Sequence, residues 1–303
     1  MSVPIFIVNP TSCAGKTLKV WKSLQAEVAQ YFPNAVIRLT EHKCDAEKFI
    51  GNQVRQDQSV HIICVGGDGT INEVVNGVMV DEGQHANKVV LSFLPMGTGS
   101  DLTRSFGISR DPRKALMALK EQKPRSLDLW RAEYMGHGGK TRIQYFANML
   151  SLGLGGHIAT LANQQSKALG GTLSYLIATL RGFLSFKPEQ ITLKSQGTEI
   201  FSGSVSMVVF ANGQYCGGGM HMSPDADLSD GKLHVILLEE MTKFQLASHF
   251  PKIYAGKHLI HPRIKTLIAT DVEVSTQALL EMDGETPGRG PLKIYLGGTV
   301  QVI

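Results

Sequence analysis

The chain has 303 residues, of which 43% are hydrophobic and 18% charged, so the composition predicts folded domains and excludes a disordered chain. The net charge of +4 is too small to favour nucleic acid as a partner and mildly favours an anionic membrane surface. Four scattered cysteines are typical of reduced thiols. No signal peptide and no run of roughly 20 apolar residues are present, so we expect a cytoplasmic protein without a transmembrane segment, peripheral at the membrane.

Strands alternate with helices in the first part of the chain. Short apolar runs predict strands over residues 5–8, 35–40, 62–65 and 89–94. Helical periodicity predicts helices over residues 17–31, 45–55 and 72–80. This alternation indicates an α/β domain with a doubly wound parallel sheet, which we assign to residues 1–130.

The pattern changes to successive strands in the second part, which we assign to a β-rich domain over residues 131–303. Strands are predicted over 127–134, 141–150, 190–194, 199–211, 232–238, 271–275, 277–282, 292–296 and 299–303. Helices are predicted over 157–186, an unusually apolar stretch, and over 242–254. We expect an antiparallel β-sandwich or barrel with inserted helices. A return of the last strand to the first domain is left open.

Two glycine-rich turns follow buried strands of the first domain. The turn Gly66-Gly67-Asp68-Gly69-Thr70 comes after one strand, and Pro95-Met96-Gly97-Thr98-Gly99-Ser100-Asp101 comes after the next. Glycine allows sharp turns and close approach to a ligand, and N–H groups at such turns suit a phosphate. The alternatives are ordinary turns in which Asp68, Ser100 or Asp101 caps a helix.

Two further turns of the second part carry carboxylates. Asp227 and Asp230 lie three residues apart in a glycine-containing turn, where they could converge on a hard cation with the Lys232 carbonyl. A solvent-exposed Asx turn is the alternative. Asp283-Gly284 is a strong turn signal that would hold Asp283 and Glu285 at a loop tip, although a solvated hairpin would have the same sequence.

Five motifs in order resemble the bacterial diacylglycerol kinase-like lipid kinases, which are related to sphingosine, ceramide and NAD kinases. They are Asn9-Pro10, the two glycine-rich turns, residues 227–233, and residues 282–285. The resemblance covers nearly the whole chain. It implies a Mg²⁺-dependent kinase that transfers the γ-phosphate of ATP to a lipid hydroxyl, diacylglycerol-like, in a cleft between the domains.

The resemblance also implies roles for individual residues. ATP would contact Asn9, Thr40, Gly66, Gly67, Asp68, Gly69, Thr70, Ile71, Asn72, Gly97 and Thr98. Asp68 would orient the catalytic Mg²⁺, and Glu285, assisted by Asp283, would be the general base. Asp227, Asp230 and Lys232 would hold a structural Mg²⁺. The chain departs from the family where Cys13 and Ala14 replace a glycine-rich loop, and where Ser100 stands in place of a frequent asparagine.

Two other functions share parts of this pattern. An NAD-type kinase shares the first glycine-rich turn, and a non-catalytic lipid-binding module would keep the apolar stretch. We predict that residues 157–186 frame the lipid site, with a buried core helix as the alternative. The lipid and the oligomeric state are left open, a homodimer being one alternative.

Overall fold

The computed structural model describes residues 3–56, 59–120, 123–164, 177–179, 181–182 and 184–303. The chain forms two compact units, each considered by itself below. Unit 1 comprises Met1–Leu129 and Gly297–Ile303, and unit 2 comprises Trp130–Leu296. Within the predicted lipid segment 157–186, residues 165–176, 180 and 183 lie outside the described residues.

Unit 1 contains a sheet of four parallel strands. Its strands are β1 (Pro4–Val8), β2 (Val36–Leu39), β3 (Val60–Gly66) and β4 (Val89–Pro95). They lie in the order β2-β1-β3-β4, and Gln301 and Val302 add a parallel pair beside β4. β3 and β4 are almost entirely buried, as expected for central parallel strands. The predicted doubly wound arrangement of helices on both faces stays a prediction.

In the described part of unit 1, five α-helices connect or follow these strands. They are α1 (Lys16–Tyr31), α2 (Asp45–Val54), α3 (Asp68–Val78), α4 (Asp101–Ser105) and α5 (Pro112–Ala118). α3 begins at Asp68, four residues before the predicted start at Asn72, so Asp68 lies in the first helical turn. α5 was not predicted, although Asp111 caps it by accepting hydrogen bonds from two backbone N–H groups.

Unit 2 is built on antiparallel strands. They are β5 (Arg125–Gly136, shared with unit 1), β6 (Thr141–Phe146), β7 (Met149–Gly153), β8 (Glu189–Ser195), β9 (Thr198–Ala211), β10 (Tyr215–Cys216), β11 (Met220–His221), β12 (Leu233–Glu239), β13 (Ile264–Ala269), β14 (Asp271–Ser275), β15 (Leu279–Met282) and β16 (Glu285–Val302). The pairs β9-β7-β15-β16-β14-β8-β9 form a closed ring. The ring makes unit 2 a barrel.

Alternation along the strands gives the barrel wall two apolar faces. Leu150 and Leu152 of β7 and Val208 and Phe210 of β9 point into the barrel core. The intervening residues of β7 and β9 point to the outside, where β12 and β13 continue the sheet from β9. The helices α6 (Leu154–Gln164) and α7 (Lys243–Ile253) also belong to unit 2. Thr242 and Gln245 form a capping box that fixes the start of α7.

Three predictions for unit 2 were wrong in detail. The strand predicted over 141–150 is divided into β6 and β7, because Asp283 binds the backbone N–H groups at the break. The strands predicted over 292–296 and 299–303 are one strand, β16. β10, β11 and β13 were not predicted at all. No helix among the described residues is long and apolar enough to cross a membrane.

Candidate active site

The two glycine-rich turns of unit 1 meet at the carboxyl ends of neighbouring strands. The Met96 N–H donates to the Gly66 carbonyl at 2.8 Å. A Cβ on Gly97 would lie 2.6 Å from the Cα of Gly67, which is too close for any side chain. The backbones therefore touch because both positions are glycine. This contact brings the two predicted phosphate-binding turns together.

Asp68 joins the same two turns through its side chain. Its Oδ2 accepts a hydrogen bond from the Ser100 N–H at 2.9 Å, and its Oδ1 accepts one from the Asp101 N–H at 3.1 Å. These N–H groups open α4, so the carboxylate caps that helix. Burial raises the pKa of Asp68, whereas the backbone hydrogen bonds oppose the shift. Asp68 thus has a visible positioning function, and its role toward Mg²⁺ stays a prediction.

Three other residues predicted to contact the nucleotide, Asn9, Thr40 and Thr98, form hydrogen bonds within unit 1. The Asn9 Nδ2 donates to the Thr70 Oγ1 at 3.0 Å, which links β1 to the first turn. Thr40 follows β2, and its N–H donates to the Val8 carbonyl at 2.9 Å. The Thr98 carbonyl accepts a hydrogen bond from Arg110.

Three more predicted contacts lie in α3. Gly69 is exposed in the first turn of this helix, whereas Ile71 and Asn72 are buried further along it. The described geometry therefore groups Asn9, Gly66 to Thr70 and Gly97 closely. It shows Ile71 mainly as a core residue of unit 1.

The departures from the family pattern fall on strained backbone. Cys13, Ala14 and Ser100 have φ values of 52°, 53° and 54°, in the left-handed region that disfavours residues with a Cβ. Glycine adopts this region freely, and asparagine does so more readily than most other residues. The geometry thus explains why glycine and asparagine suit these positions.

Asp283 has a structural function in unit 2. It lies in the turn between β15 and β16 at a φ of 45°, and the residue is 9% exposed. Its carboxylate accepts hydrogen bonds from the N–H groups of Ala147, Asn148 and Met149 at 3.0–3.2 Å. Asp283 therefore holds the break between β6 and β7, and three backbone donors occupy its carboxylate.

Glu281 was not among the predicted residues, although it contacts the same turn. Its Oε1 accepts a hydrogen bond from the Gly284 N–H at 2.7 Å, and its Oε2 accepts one from the Ser151 hydroxyl at 2.8 Å. Ser151 and Glu281 are also direct register partners on β7 and β15. Glu285, the predicted base, is partly exposed at the start of β16. Alternation of side chains along β15 is the signal that could have identified Glu281.

A large apolar pocket lies on the outer face of the unit 2 barrel. The space within and at the mouth of the pocket is about 1000 Å³, part of it open to solvent. Its apolar lining includes Met149, Val209, Ile236, Leu246, Phe250 and Ile264. Glu281 and Ser151 also line it, as do Ile158 and Thr179 from the predicted lipid segment. Apolar walls with a few polar groups are typical of a small-molecule site.

The predicted structural metal residues form local turns. The Asp227 Oδ1 accepts hydrogen bonds from the Ser229 N–H and hydroxyl, and the Asp230 Oδ1 accepts one from the Lys232 N–H. These contacts are Asx turns. Among the described residues, no group of three or more His, Cys, Asp or Glu side chains could hold a metal ion. Two carboxylates and a carbonyl are suitable ligand types for Mg²⁺, and the site stays a prediction.

Comparison with known proteins agrees with this two-part organisation. Residues 4–132 match the diacylglycerol kinase catalytic domain. Residues 148–303 match the YegS C-terminal NAD kinase beta sandwich-like domain. The second match alone covers half of the chain. These domains define a kinase of the lipid kinase class.

Individual relatives give the same result over most of the chain. The Klebsiella pneumoniae (strain 342) protein named "Probable lipid kinase YegS-like" is 30% identical over 76% of this chain and 68% of its own length. The Bacillus subtilis (strain 168) protein named "Diacylglycerol kinase" is 28% identical over 94% of this chain and 90% of its own. The chain belongs to the diacylglycerol kinase-like family of lipid kinases.

A solved structure confirms the fold over nearly the whole length. It is the crystal structure of a diacylglycerol kinase from Bacillus anthracis str. Sterne, with a TM-score of 0.73 and 21% identity. The match covers 98% of this chain and 96% of that chain. The α/β fold with a C-terminal β-barrel is therefore shared.

Proposed function

We propose that this protein transfers the γ-phosphate of ATP to the hydroxyl of a diacylglycerol-like lipid. The observation that carries the proposal is the apolar pocket of unit 2, which has Glu281 and Ser151 in its lining. Glu281 also holds the Gly284 N–H, next to Glu285. A pocket with these walls suits an acyl chain better than a water-soluble dinucleotide.

The glycine-rich turns of unit 1 are proposed to bind the phosphates of ATP. Gly67 and Gly97 leave room for close approach, and the N-terminus of α3 favours an anion. Asp68 holds the second turn in position through Ser100 and Asp101. Together these contacts would hold the two glycine-rich turns in a binding conformation before the nucleotide binds.

Magnesium is proposed as the cofactor on chemical grounds. Mg²⁺ bound with ATP would neutralise charge that develops on the transferred phosphoryl group. Asp68 has the required carboxylate, but both of its oxygens already accept backbone hydrogen bonds. Each oxygen keeps a second lone pair, so Asp68 would act on the ion directly, through water, or by holding the turn. The structural Mg²⁺ at Asp227 and Asp230 is retained as a proposal with the carbonyl of Lys232.

The contacts of unit 2 support Glu285 as the proposed base. Three backbone N–H groups occupy the Asp283 carboxylate, so Asp283 is better suited to position the turn. Glu281 supports the turn from the pocket side. A base must reach the accepting hydroxyl and take its proton. The location of the reaction in a cleft between the domains stays a prediction.

The test is incubation of the full chain with γ-labelled ATP, Mg²⁺ and separate lipid acceptors, with NAD as a further acceptor. We expect label in diacylglycerol or a related lipid and none in NAD. Asp68→Asn and Glu285→Gln should both remove turnover, while Glu285→Gln keeps ATP affinity. Label in NAD alone would establish the NAD-type kinase. Absence of any labelled product together with lipid binding would establish the non-catalytic module.

A further inference from the structure

The segment that covers the pocket of unit 2 is basic as well as apolar. We call residues 241–265 the α7 segment. It contains three lysines besides Lys265, one arginine and three histidines, with no aspartate or glutamate. Lys265 pairs with Glu239 at 2.5 Å. Lys252 and Lys257 form no ion pair with any described residue, so the segment has unneutralised positive charge.

The two faces of α7 have different surroundings. Leu246, His249, Phe250 and Ile253 follow helical spacing and line the pocket. Phe244 points away from this row and is 82% exposed. Ile260, in the 3-10 turn after α7, is 83% exposed. Exposed large apolar side chains beside a ligand pocket are typical of a surface that meets a partner.

Two contacts connect parts of the surface around α7. The rings of His249 and His261 lie 4.4 Å apart, which places the turn with Ile260 beside the middle of α7. Lys243 donates a hydrogen bond to the carbonyl of Leu184, whose side chain is 66% exposed.

The pKa of His261 is lowered. Desolvation is the main cause, and the positive charges of His249, Lys252 and Arg263 lower the pKa further. Exposed Leu184 therefore contacts Lys243, and the turn with His261 lies close to further basic groups.

We propose that the α7 segment docks unit 2 on an anionic lipid bilayer. Phe244 and Ile260 would enter the acyl region, while Lys252 and Lys257 face lipid phosphates. Apolar tips flanked by lysines, without acidic residues, match the chemistry of such a surface. A second copy of the chain fits poorly, because a two-fold contact would oppose like charges.

This surface deepens the proposed lipid phosphorylation, on which it rests. The face of α7 opposite Phe244 lines the pocket, so a docked α7 segment places the pocket wall at the bilayer. A lipid then passes from the bilayer into the pocket without full exposure to water. The α7 segment thus delivers the lipid acceptor, whereas the glycine-rich turns of unit 1 bind the phosphates of ATP.

The experiment measures sedimentation of the full chain with vesicles in the absence of ATP. The vesicles are phosphatidylcholine alone or phosphatidylcholine with phosphatidylglycerol. We expect binding to need phosphatidylglycerol and to fall as salt is added. Phe244→Ser should lower the partition coefficient about tenfold. Lys252→Glu should lower it by a similar factor, because it both removes and reverses a charge.

Controls use the hairpin of β5 and β6. Ile143 is 50% exposed and Lys140 is exposed there, so Ile143→Ser and Lys140→Glu match the two changes in chemistry. Both should bind as the parent does. Ser248→Trp, one helical turn from Phe244, should increase binding, which a folding defect cannot imitate.

Three results would overturn the docking surface. These are equal loss in the control variants, equal binding of the parent to neutral vesicles, and dimerisation that Phe244→Ser abolishes while vesicle binding persists. Kinase assays in detergent micelles test the proposed function separately. Lipid phosphorylation in micelles without binding to vesicles would refute only the docking surface. Vesicle binding without any kinase activity would refute only the function.

Discussion

Each unit contains an aspartate whose carboxylate binds backbone N–H groups of a distant segment. Asp68 in unit 1 binds two such groups at the start of α4. Asp283 in unit 2 binds three at the break between β6 and β7. The two side chains are chemically identical, but their surroundings differ. Glycine backbone surrounds Asp68, whereas strands of an apolar barrel surround Asp283.

The difference indicates two ways of building a site. In unit 1 the turns approach because side chains are missing at Gly67 and Gly97, and Asp68 adds to a contact that backbone shape already allows. In unit 2 the break between β6 and β7 depends on the Asp283 carboxylate, because this one side chain accepts hydrogen bonds from all three backbone N–H groups. We therefore expect unit 1 to be sensitive to added atoms and unit 2 to lost hydrogen bonds.

The strongest test of this comparison removes the carboxylate in unit 2. Asp283→Ala should lower the free energy of unfolding by about 3–5 kcal/mol, because three N–H groups lose a charged, buried acceptor. Urea unfolding in EDTA measures the loss. Asp227→Ala, which removes an exposed Asx turn, is the control and should lose less than about 1 kcal/mol. A loss for Asp283→Ala no larger than for the control would contradict the role of Asp283.

The matching test in unit 1 adds one carbon. Gly97→Ala would place a Cβ 2.6 Å from the Cα of Gly67, so the two turns must separate. We expect a loss of about 1–3 kcal/mol in the free energy of unfolding, as for other overpacked positions, and weaker ATP binding by calorimetry. Gly69→Ala is the stability control, since a Cβ there meets no atom within 4 Å. Equal stability of the two variants would show that the turns do not depend on their contact.

The free energy of unfolding should depend on pH through His258, which lines the pocket of unit 2. Desolvation lowers the pKa of His258 from 6.5 to about 4, while the Met222 carbonyl opposes the shift. Because the unfolded chain takes up the proton first, stability should fall as pH drops from 6.5 toward 4. Between pH 7.5 and 5.0 the parent should lose about 2 kcal/mol more than His258→Phe. Parallel urea curves at both pH values measure this difference, and identical losses would exclude a buried neutral His258.

The smallest expected effect concerns backbone strain near Asn9. Ala14 has a φ of 53° and is exposed, so Ala14→Gly should relieve strain without loss of packing. We expect a gain of about 0.5–1 kcal/mol in unfolding free energy. Ala26→Gly, within α1, should have the opposite sign and lose about 1 kcal/mol. Thermal and urea unfolding measure both, and destabilisation by Ala14→Gly would show that its left-handed conformation is not strained.

The sequence predicted the motifs that depend on local chemistry. An apolar run followed by glycines indicated β3 and its turn, and Asp283-Gly284 indicated the turn between β15 and β16, both of which are present. The start of α3 was placed late because glycines at residues 67 and 69 suggested a loop. Helical hydrogen bonds begin at Gly67 nevertheless, since its carbonyl accepts from Thr70 and Ile71. Local sequence propensity therefore predicted α3 but not its first helical turn.

Features that depend on distant partners were not predictable in the same way. The division of β6 from β7 requires Asp283, more than 130 residues away in sequence. Glu281 looked like an ordinary strand residue until its pairing with Ser151 placed it in the pocket. The pocket itself needs β7, β9, β12 and α7 together. Closure of the barrel likewise follows from pairing register, which residue patterns leave open between sandwich and barrel.

The sequence order of the two units affects how the protein is made. Unit 1 includes Gly297–Ile303, which follow all of unit 2 in the chain. Gln301 and Val302 pair with β4 only after these residues leave the ribosome. During synthesis, β4 is therefore paired with β3 on one side only, and its other edge stays unpaired while the whole barrel is being translated. A nascent chain paused within unit 2 would be a natural client for chaperones that bind exposed strand edges.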